Sequence, residues 1–140
     1  MSQLSQEVRG KRGLTYGITS QFMPMPANGP FLISFSTKNN QAVEALQVTE
    51  KTLTDFLTKG PSDEELIAAK QYMVGSFPLS LASNSSIAGM LLRIAFYHLP
   101  DDYLNTYTAH IEVVTTDDIK QAFDQTIHLN KMLLVSVGKK

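Results

Sequence analysis

The sequence predicts an α+β domain in which a small, mainly antiparallel sheet is covered by several helices. Two short stretches with strand periodicity lie near the start of the chain, and a nearly continuous apolar run lies close to its end. Between them, apolar residues recur at helical spacing and are separated by capping residues and prolines. The length of 140 residues suits one domain, and we find no repeat and no linker inside it.

The first elements are a short helix and a hairpin. Residues 2–9 predict the helix, which the glycines at 10 and 13 should end. Residues 15–22 alternate as a half-buried strand does, with one face formed by Tyr16, Ile18, Ser20 and Phe22. A loop rich in proline and glycine then leads to a second strand over Phe31–Phe35. The two strands therefore predict an antiparallel hairpin with a long loop.

Five helical patterns follow the hairpin. The first runs from the caps at Asn39 and Asn40 to Gly60, with an expected inward stripe of Val43, Leu46, Leu53, Phe56 and Leu57. Two capping boxes then begin helices, and their residues are Ser62 with Glu65 and Thr115 with Asp118. The inward residues expected for these and the two remaining helices, over 85–97 and from Pro100 onwards, are Leu66, Met73, Val74, Phe77, Ile87, Met90, Leu91, Ile94, Tyr103, Tyr107, Ile111, Ile119, Phe123 and Ile127.

The last element expected is a strand over Met132–Val137. This run is almost continuously apolar, and such a composition is typical of a strand covered on both faces. It would be the third strand of the sheet.

Composition and charge exclude several classes of function. Twelve basic and thirteen acidic residues give a net charge of −1, which is too balanced for a nucleic-acid partner or an anionic membrane surface. The absence of cysteine excludes a thiolate metal site and a cysteine nucleophile. No apolar run approaches a membrane span of about 20 residues, and the first thirteen residues lack a signal-peptide core. The chain is expected to be soluble.

Metal-binding and phosphate-binding motifs are also missing. The three histidines, His98, His110 and His128, are scattered, so neither H-E-x-x-H nor H-x-x-E-H occurs. His98 follows a helical pattern and precedes Leu99-Pro100, where a helix-terminal histidine is the ordinary interpretation. No metal or other cofactor is therefore expected on this chain.

One cluster could carry chemistry. Arg9, Lys11 and Arg12 lie close before Tyr16, and glycines between them permit close backbone approach. A guanidinium and a phenol side by side can both donate hydrogen bonds to a carbonyl or a carboxylate. The alternative from residue chemistry is a solvated basic turn with Tyr16 as a core ring, and the residues alone do not exclude it.

Four segments carry a family resemblance. LSQEVRGKRGLTYGI, PSDEELIAAKQYMVGSF, LPDDYLNTYTAHIEVVTTDDIKQAF and KMLLVSVGK resemble, in this order, segments of the pitrilysin/insulinase-type (inverzincin) zinc metallopeptidases. The match covers nearly all of the chain and corresponds to the later part of the C-terminal domain of those enzymes. Residues 1–140 are thus expected to form a single partial domain.

The resemblance implies a two-domain peptidase that closes around an extended peptide. Zinc and H-x-x-E-H lie in the N-terminal half of such an enzyme, and the C-terminal half contributes an arginine and a tyrosine seven positions apart. Those positions are Arg9 and Tyr16 here, which makes them the expected substrate-binding residues, with no catalytic and no metal-binding residue in this chain. The family commonly has an acid after the arginine, where this chain has Gly10.

Two functions follow from the resemblance. The leading one is the substrate-clamping, non-zinc-binding C-terminal portion of a bacterial-type zinc metalloendopeptidase, in the cytoplasm or periplasm. The alternative is a non-catalytic partner or structural subunit of the same family. The expected partners are a peptide substrate and the zinc-bearing half, on the same polypeptide or on another subunit. The chain alone should be inactive and should form a homodimer, because a buried strand without neighbours favours pairing with a second copy.

Overall fold

In the computed structural model the described residues are 2–27 and 29–138, and they form two compact units. The first unit comprises Met1–Gly60 with Lys120–Lys140, and the second comprises Pro61–Ile119. The described residues confirm the α+β class, with two strands, five α-helices and several shorter helical turns.

The hairpin of the first unit is close to the sequence prediction. Strand β1 covers Ile18–Phe22 and strand β2 covers Phe31–Phe35. They pair antiparallel, with Ile18 opposite Phe35 and Phe22 opposite Phe31. β1 is three residues shorter than expected, because residues 15–17 form a tight turn instead of joining the ladder.

The core of this unit lies between the hairpin and the two helical segments that flank it. A π-helix over Ser5–Lys11 comes first, and α1 over Ala42–Lys59 follows β2 after one 3₁₀ turn at Asn39–Gln41. The buried apolar residues that these elements share are Leu4, Val8, Leu14, Ile18 and Ala45. The first helix therefore exists as predicted, although it continues through Gly10 to Lys11.

The buried face of α1 differs from the predicted stripe. Leu53 is buried as expected, but Val43 is 70% exposed, and the other buried positions are Ala45, Thr49 and Thr52. The two threonine hydroxyls donate to the carbonyl oxygens of Ala45 and Val48, at 2.8 and 2.7 Å. Because each hydroxyl is satisfied within the helix, the threonine methyl groups can pack as apolar surface.

Four aromatic rings join the hairpin to α1 and to α5, which covers Thr116–Thr126. The Phe123 ring lies 5.4 Å from Phe22 and 4.9 Å from Phe56 between centroids, in edge-on contacts. Phe22 and Phe31, opposite one another in the hairpin, lie 4.8 Å apart. Edge-on and tilted contacts at these separations are favourable for aromatic pairs. Phe123 and Ile127 are thus inward as predicted, and Ile127 is buried.

The closing strand is where the prediction is wrong. After a 3₁₀ turn at Leu129–Lys131, residues 132–137 run without ladder hydrogen bonds, and their five apolar side chains are 44–96% exposed. β1 and β2 pair only with each other, so among the described residues no strand lies beside this segment. The segment therefore has the apolar composition of a buried strand, but its side chains are exposed to solvent.

The second unit is helical. It contains α2 over Asp63–Ser76, a 3₁₀ turn at Pro78–Leu81, α3 over Asn84–Tyr97 and α4 over Tyr103–Val113, and α5 begins at its end. Pro78 stops α2 as expected. Tyr107 of α4 stacks on Phe77 at 4.1 Å between ring centroids, and Lys70 donates to the Glu112 carbonyl at 2.7 Å.

The helix starts of this unit agree with the sequence better than the buried faces do. Both capping boxes form: the Glu65 N–H donates to the Ser62 hydroxyl at 3.2 Å, and the Asp118 N–H donates to the Thr115 hydroxyl at 3.1 Å. The predicted inward faces of α2 and α3 contain no buried residue. Met73, Ile87 and Leu91 are 39%, 40% and 55% exposed. α2 packs with α4, whereas α3 contacts chiefly the 78–81 turn, which leaves much of its apolar face uncovered.

Among the described residues, no single helix is both long and apolar enough to cross a bilayer. Only Asp63–Leu81 and Asn84–Tyr97 taken together, with a bend of 112° between them, reach that length and composition.

Candidate functional site

The candidate site is built on the segment from Ser5 to Gly17, which we call the basic turn. Its π-helix buries Val8 completely, and the turn after it buries Leu14. These two anchors leave Arg9, which follows Val8, at the surface. A π-helix is rare and is frequently found at functional sites.

The chain reverses direction at Gly13. This residue has φ 61°, a left-handed conformation that favours glycine. Its N–H donates to the Arg9 carbonyl at 3.0 Å, and the next N–H, from Leu14, donates to Val8 at 3.0 Å. The end of the helix is therefore closed by backbone hydrogen bonds that the carbonyl groups of Val8 and Arg9 accept.

The backbone on both sides of Tyr16 is held by two threonines. The Thr15 hydroxyl lies 2.7 Å from the Ser36 carbonyl oxygen and accepts from the Gly17 N–H at 3.1 Å. The Thr37 hydroxyl donates to the Leu14 carbonyl at 2.5 Å. Tyr16 thus sits on a turn that is fixed to the residues after β2.

The side chain of Tyr16 is 91% exposed, although the turn that carries it is fixed. The interpretation of Tyr16 as a core ring is therefore wrong. Its ring lies beneath the Arg9 guanidinium, whose central carbon is 5.7 Å from the ring centroid. This distance is within the range of a cation–π contact. The structure thus brings together the arginine and the tyrosine that the sequence singles out.

Glu7 balances the other two cations of the basic turn. Its carboxylate accepts from Lys11 at 2.6 Å and from Arg12 at 2.7 Å. The hydrogen bond from Lys11 and then that from Arg12 hold the pKa of Glu7 below its ordinary value. Among the described residues, no aspartate or glutamate forms an ion pair with Arg9. The Arg9 guanidinium is consequently the cation of this turn that remains available to an outside acceptor.

The chemistry of this arrangement is hydrogen-bond donation. A guanidinium presents a planar fork of N–H groups, and a phenol presents one O–H without carrying charge. The Arg9 guanidinium contacts the Tyr16 ring while both residues stay exposed to solvent. The pair is therefore suited to hold a carbonyl or a carboxylate from outside the chain.

The residues described do not fit a zinc ion. Within 2–27 and 29–138, no group of three histidine, cysteine, aspartate or glutamate side chains could hold a metal. His98 takes the left-handed conformation, with φ 51°, at the end of α3, which is the helix-terminal place that the sequence predicts. A zinc site needs three or four converging donors, and the described residues of this chain do not provide them.

A second concave feature was not predicted from the sequence. A cleft of about 540 Å³ lies beside the loop after β1, where Phe22, Met23 and Met25 face His128 and Lys131. The only signal in the sequence is the Met-Pro-Met-Pro run, which predicts a turn and not a cavity.

Comparison with known proteins identifies the family. The family model described as the peptidase M16 inactive domain matches residues 1–73. The chain belongs to the peptidase M16 family. The crystal structure of a peptidase M16 inactive domain from Pseudomonas fluorescens is similar, with 37% identity and a TM-score of 0.86 over 93% of this chain and 31% of that one. The resemblance found in the sequence, to the C-terminal domain of zinc metallopeptidases, is confirmed.

Two curated relatives carry different descriptions. A protein of Bacillus subtilis named as an uncharacterized zinc protease YmxG is 33% identical over 85 residues, which are 61% of this chain and 21% of that protein. A protein of Helicobacter pylori named as a non-peptidase homolog YmxG is 24% identical over 143 residues, 99% of this chain and 32% of that one. The chain therefore spans between a fifth and a third of the length of these relatives.

Proposed function

We propose that this M16 chain is the later part of the C-terminal, inactive domain of a zinc metalloendopeptidase and that it clamps the peptide substrate. In this proposal zinc is held by the N-terminal half, on the same polypeptide or on a partner subunit. The family assignment and the relatives named as zinc proteases support the parent activity. The absence of a three-donor group among the described residues is compatible with a zinc site outside them.

The observation that carries the clamp is the exposed pair of Arg9 and Tyr16. A tyrosine needed only for stability would bury its ring, whereas this ring is 91% exposed on a backbone fixed by Thr15 and Thr37. A donor that is held in place before substrate arrives stabilises developing charge without the cost of reorganisation. Tyr16 and Arg9 together meet this requirement.

Each member of the pair has its own role in the proposal. Zinc bound in the N-terminal half would supply an activated water for attack on a peptide carbonyl, and negative charge would then develop on the carbonyl oxygen. Tyr16 donates one hydrogen bond to that oxygen, an interaction that is stronger in the transition state than in the bound substrate. Arg9 uses its fork to hold the substrate backbone or a nearby carboxylate. Arg9 therefore acts on substrate binding and Tyr16 acts mainly on turnover.

A non-catalytic partner subunit is the second candidate. The description of the Helicobacter pylori relative as a non-peptidase homolog favours it. Such a subunit would need the fold and its interfaces, but it would not need an exposed donor pair. The presence of both Arg9 and Tyr16 favours the first candidate.

Reconstitution tests the proposed function. The longer polypeptide, without the residues of this chain, is loaded with zinc and assayed on a mixture of peptides, first alone and then with this chain added. We expect hydrolysis only when both parts are present, and no stoichiometric zinc on this chain when its metal content is measured. One zinc bound tightly per chain, or no hydrolysis by the complete protein with zinc, would contradict the proposal.

A further inference from the structure

The basic turn carries four charged side chains within six residues, and three of them form one cluster. Glu7 accepts from both Lys11 and Arg12, at 2.6 and 2.7 Å. The fourth, Arg9, contacts the Tyr16 ring instead. Glu7 alone therefore forms ion pairs with two of the three cations of the basic turn, and the third, Arg9, has a different contact.

The π-helix explains how this separation arises. Its hydrogen bonds join residues five apart, so residues four and five positions apart lie on the same face. Lys11 and Arg12, which follow Glu7 by four and five positions, therefore share its face. Arg9, only two positions from Glu7, points to the other side of the helix, and this direction agrees with its contact to Tyr16.

Arg12 also ties the end of the helix to its start. Its Nη1 donates to the Glu7 carboxylate at 2.7 Å and to the Glu7 carbonyl oxygen at 3.0 Å. The residue after Arg12 is Gly13, where the chain turns back towards Tyr16. The link between Glu7 and Arg12 therefore spans the backbone segment on which the Arg9–Tyr16 pair depends.

We infer that Glu7 is a positioning residue for Arg9: it holds Lys11 and Arg12 on one face of the π-helix, so that the Arg9 guanidinium stays on the Tyr16 ring. This inference rests on the proposed function only for its effect on substrate. Glu7 lies on the face away from the pair and touches neither substrate nor reacting atoms. Without its charge, the two neighbouring cations lose their counterion, repel Arg9 and loosen the end of the helix before Gly13.

The geometry can be tested on this chain in solution, without zinc or substrate. Side-chain protons of Arg9 above the Tyr16 ring experience an upfield ring-current shift in a proton NMR spectrum, and Tyr16→Leu gives the value without the ring. We expect Glu7→Gln to remove about half of the shift or more. The matched control is Glu44→Gln, which changes the net charge equally at an exposed position of α1 and should leave the shift unchanged.

A second variant covers the case in which Glu7→Gln fails to fold. Arg12→Gln removes the tie between the helix ends and leaves Glu7 in place, and we expect a smaller ring-current shift here as well. Full ring-current shifts in both variants would overturn the inference.

Kinetics of the zinc-loaded longer protein separate this inference from the proposed function. If both hold, Glu7→Gln raises KM several-fold with kcat nearly unchanged, and it adds little to Arg9→Ala. A lost ring-current shift with unchanged KM would confirm the positioning by Glu7 and contradict the clamp. An unchanged shift contradicts the positioning, whatever the rates are.

Discussion

Individual residues of the basic turn have roles that depend on which charges face each other. Arg9 and Arg12 lie on the same short segment but have different partners. Arg9 contacts the ring of Tyr16, whereas Arg12 forms an ion pair with Glu7. The sequence singled out Arg9 and Tyr16 but gave no role to Glu7, because the pairing of Glu7 depends on π-helical spacing. The spacing of an α-helix would predict an ion pair between Glu7 and Lys11, four positions apart, but not the ion pair between Glu7 and Arg12, five positions apart.

The pH dependence of the Glu7 cluster follows from its lowered pKa. A carboxyl group whose pKa is lower in the folded state contributes stability above its ordinary pKa of about 4.3 and loses that contribution as pH falls through the folded-state value. We expect the Glu7 carboxyl carbon to titrate in NMR with a midpoint below the ordinary glutamate pKa, and the Arg9 ring-current shift to decrease as Glu7 is protonated. Removing both donors, with Lys11→Gln and Arg12→Gln, should return the midpoint to the ordinary range. A midpoint at or above that range in the wild-type chain would contradict the pairing.

Elements with strong local signals were predictable from the sequence. The C-terminal end of α1 follows from Gly60 and the start of α2 follows from the capping box at Ser62, because the groups that satisfy a helix end lie within four residues of it. Both strands of the hairpin follow from alternation and turn residues. These features depend on nearby residues alone.

Buried faces and the last strand were not predictable in the same way. The apolar pattern indicates which residues prefer burial, but a side chain becomes buried only when a neighbouring element packs against it. Leu91 on α3 and the segment 132–137 fit the pattern and remain exposed, because no described element of their unit packs there. Conversely, Thr49 and Thr52 are buried without being apolar, because each hydroxyl bonds to its own helix.

The capping box of α2 gives a stability prediction at this scale. The Ser62 hydroxyl accepts from the Glu65 N–H, and the Glu65 carboxylate accepts from the Ser62 N–H at 2.9 Å. We expect Ser62→Ala to lower the free energy of unfolding by about 1 kcal/mol, which is typical for the loss of a serine cap. Urea denaturation followed by circular dichroism measures this free energy of unfolding. Ser85→Ala, an exposed serine inside α3, is the control and should have no such cost, and equal stabilities of Ser62→Ala and wild type would refute the role of the cap.

At the scale of the whole molecule, large apolar side chains are exposed in each of the two units. Exposed large side chains lie on α3, at Leu92 and Phe96, and along residues 132–137. Contiguous exposed apolar surface is typical of interaction sites. That residues 1–140 form one partial domain stays a prediction, and so does the homodimer expected for the isolated chain.

Self-association of the isolated chain is the corresponding test. An unpaired apolar segment at 132–137 favours strand pairing with a second copy, and we expect light scattering to report a dimer that dissociates on dilution. Val135→Lys should weaken the dimer, because it places a charge in the strand that pairs. Gln121→Lys on α5 adds the same charge elsewhere and should not change it. A monomer at every concentration would contradict the prediction.

The most direct test of the central claim is the turnover of the zinc-loaded longer protein carrying Tyr16→Phe. This change removes one hydroxyl from a ring that is 91% exposed, so folding and zinc content should stay as in the wild type. If Tyr16 donates to the developing oxyanion, kcat falls about a hundredfold, or by about 3 kcal/mol, with KM nearly unchanged. Tyr72→Phe, at another exposed tyrosine, is the matched control and should be silent. A kcat for Tyr16→Phe within about twofold of the wild-type value would contradict the account.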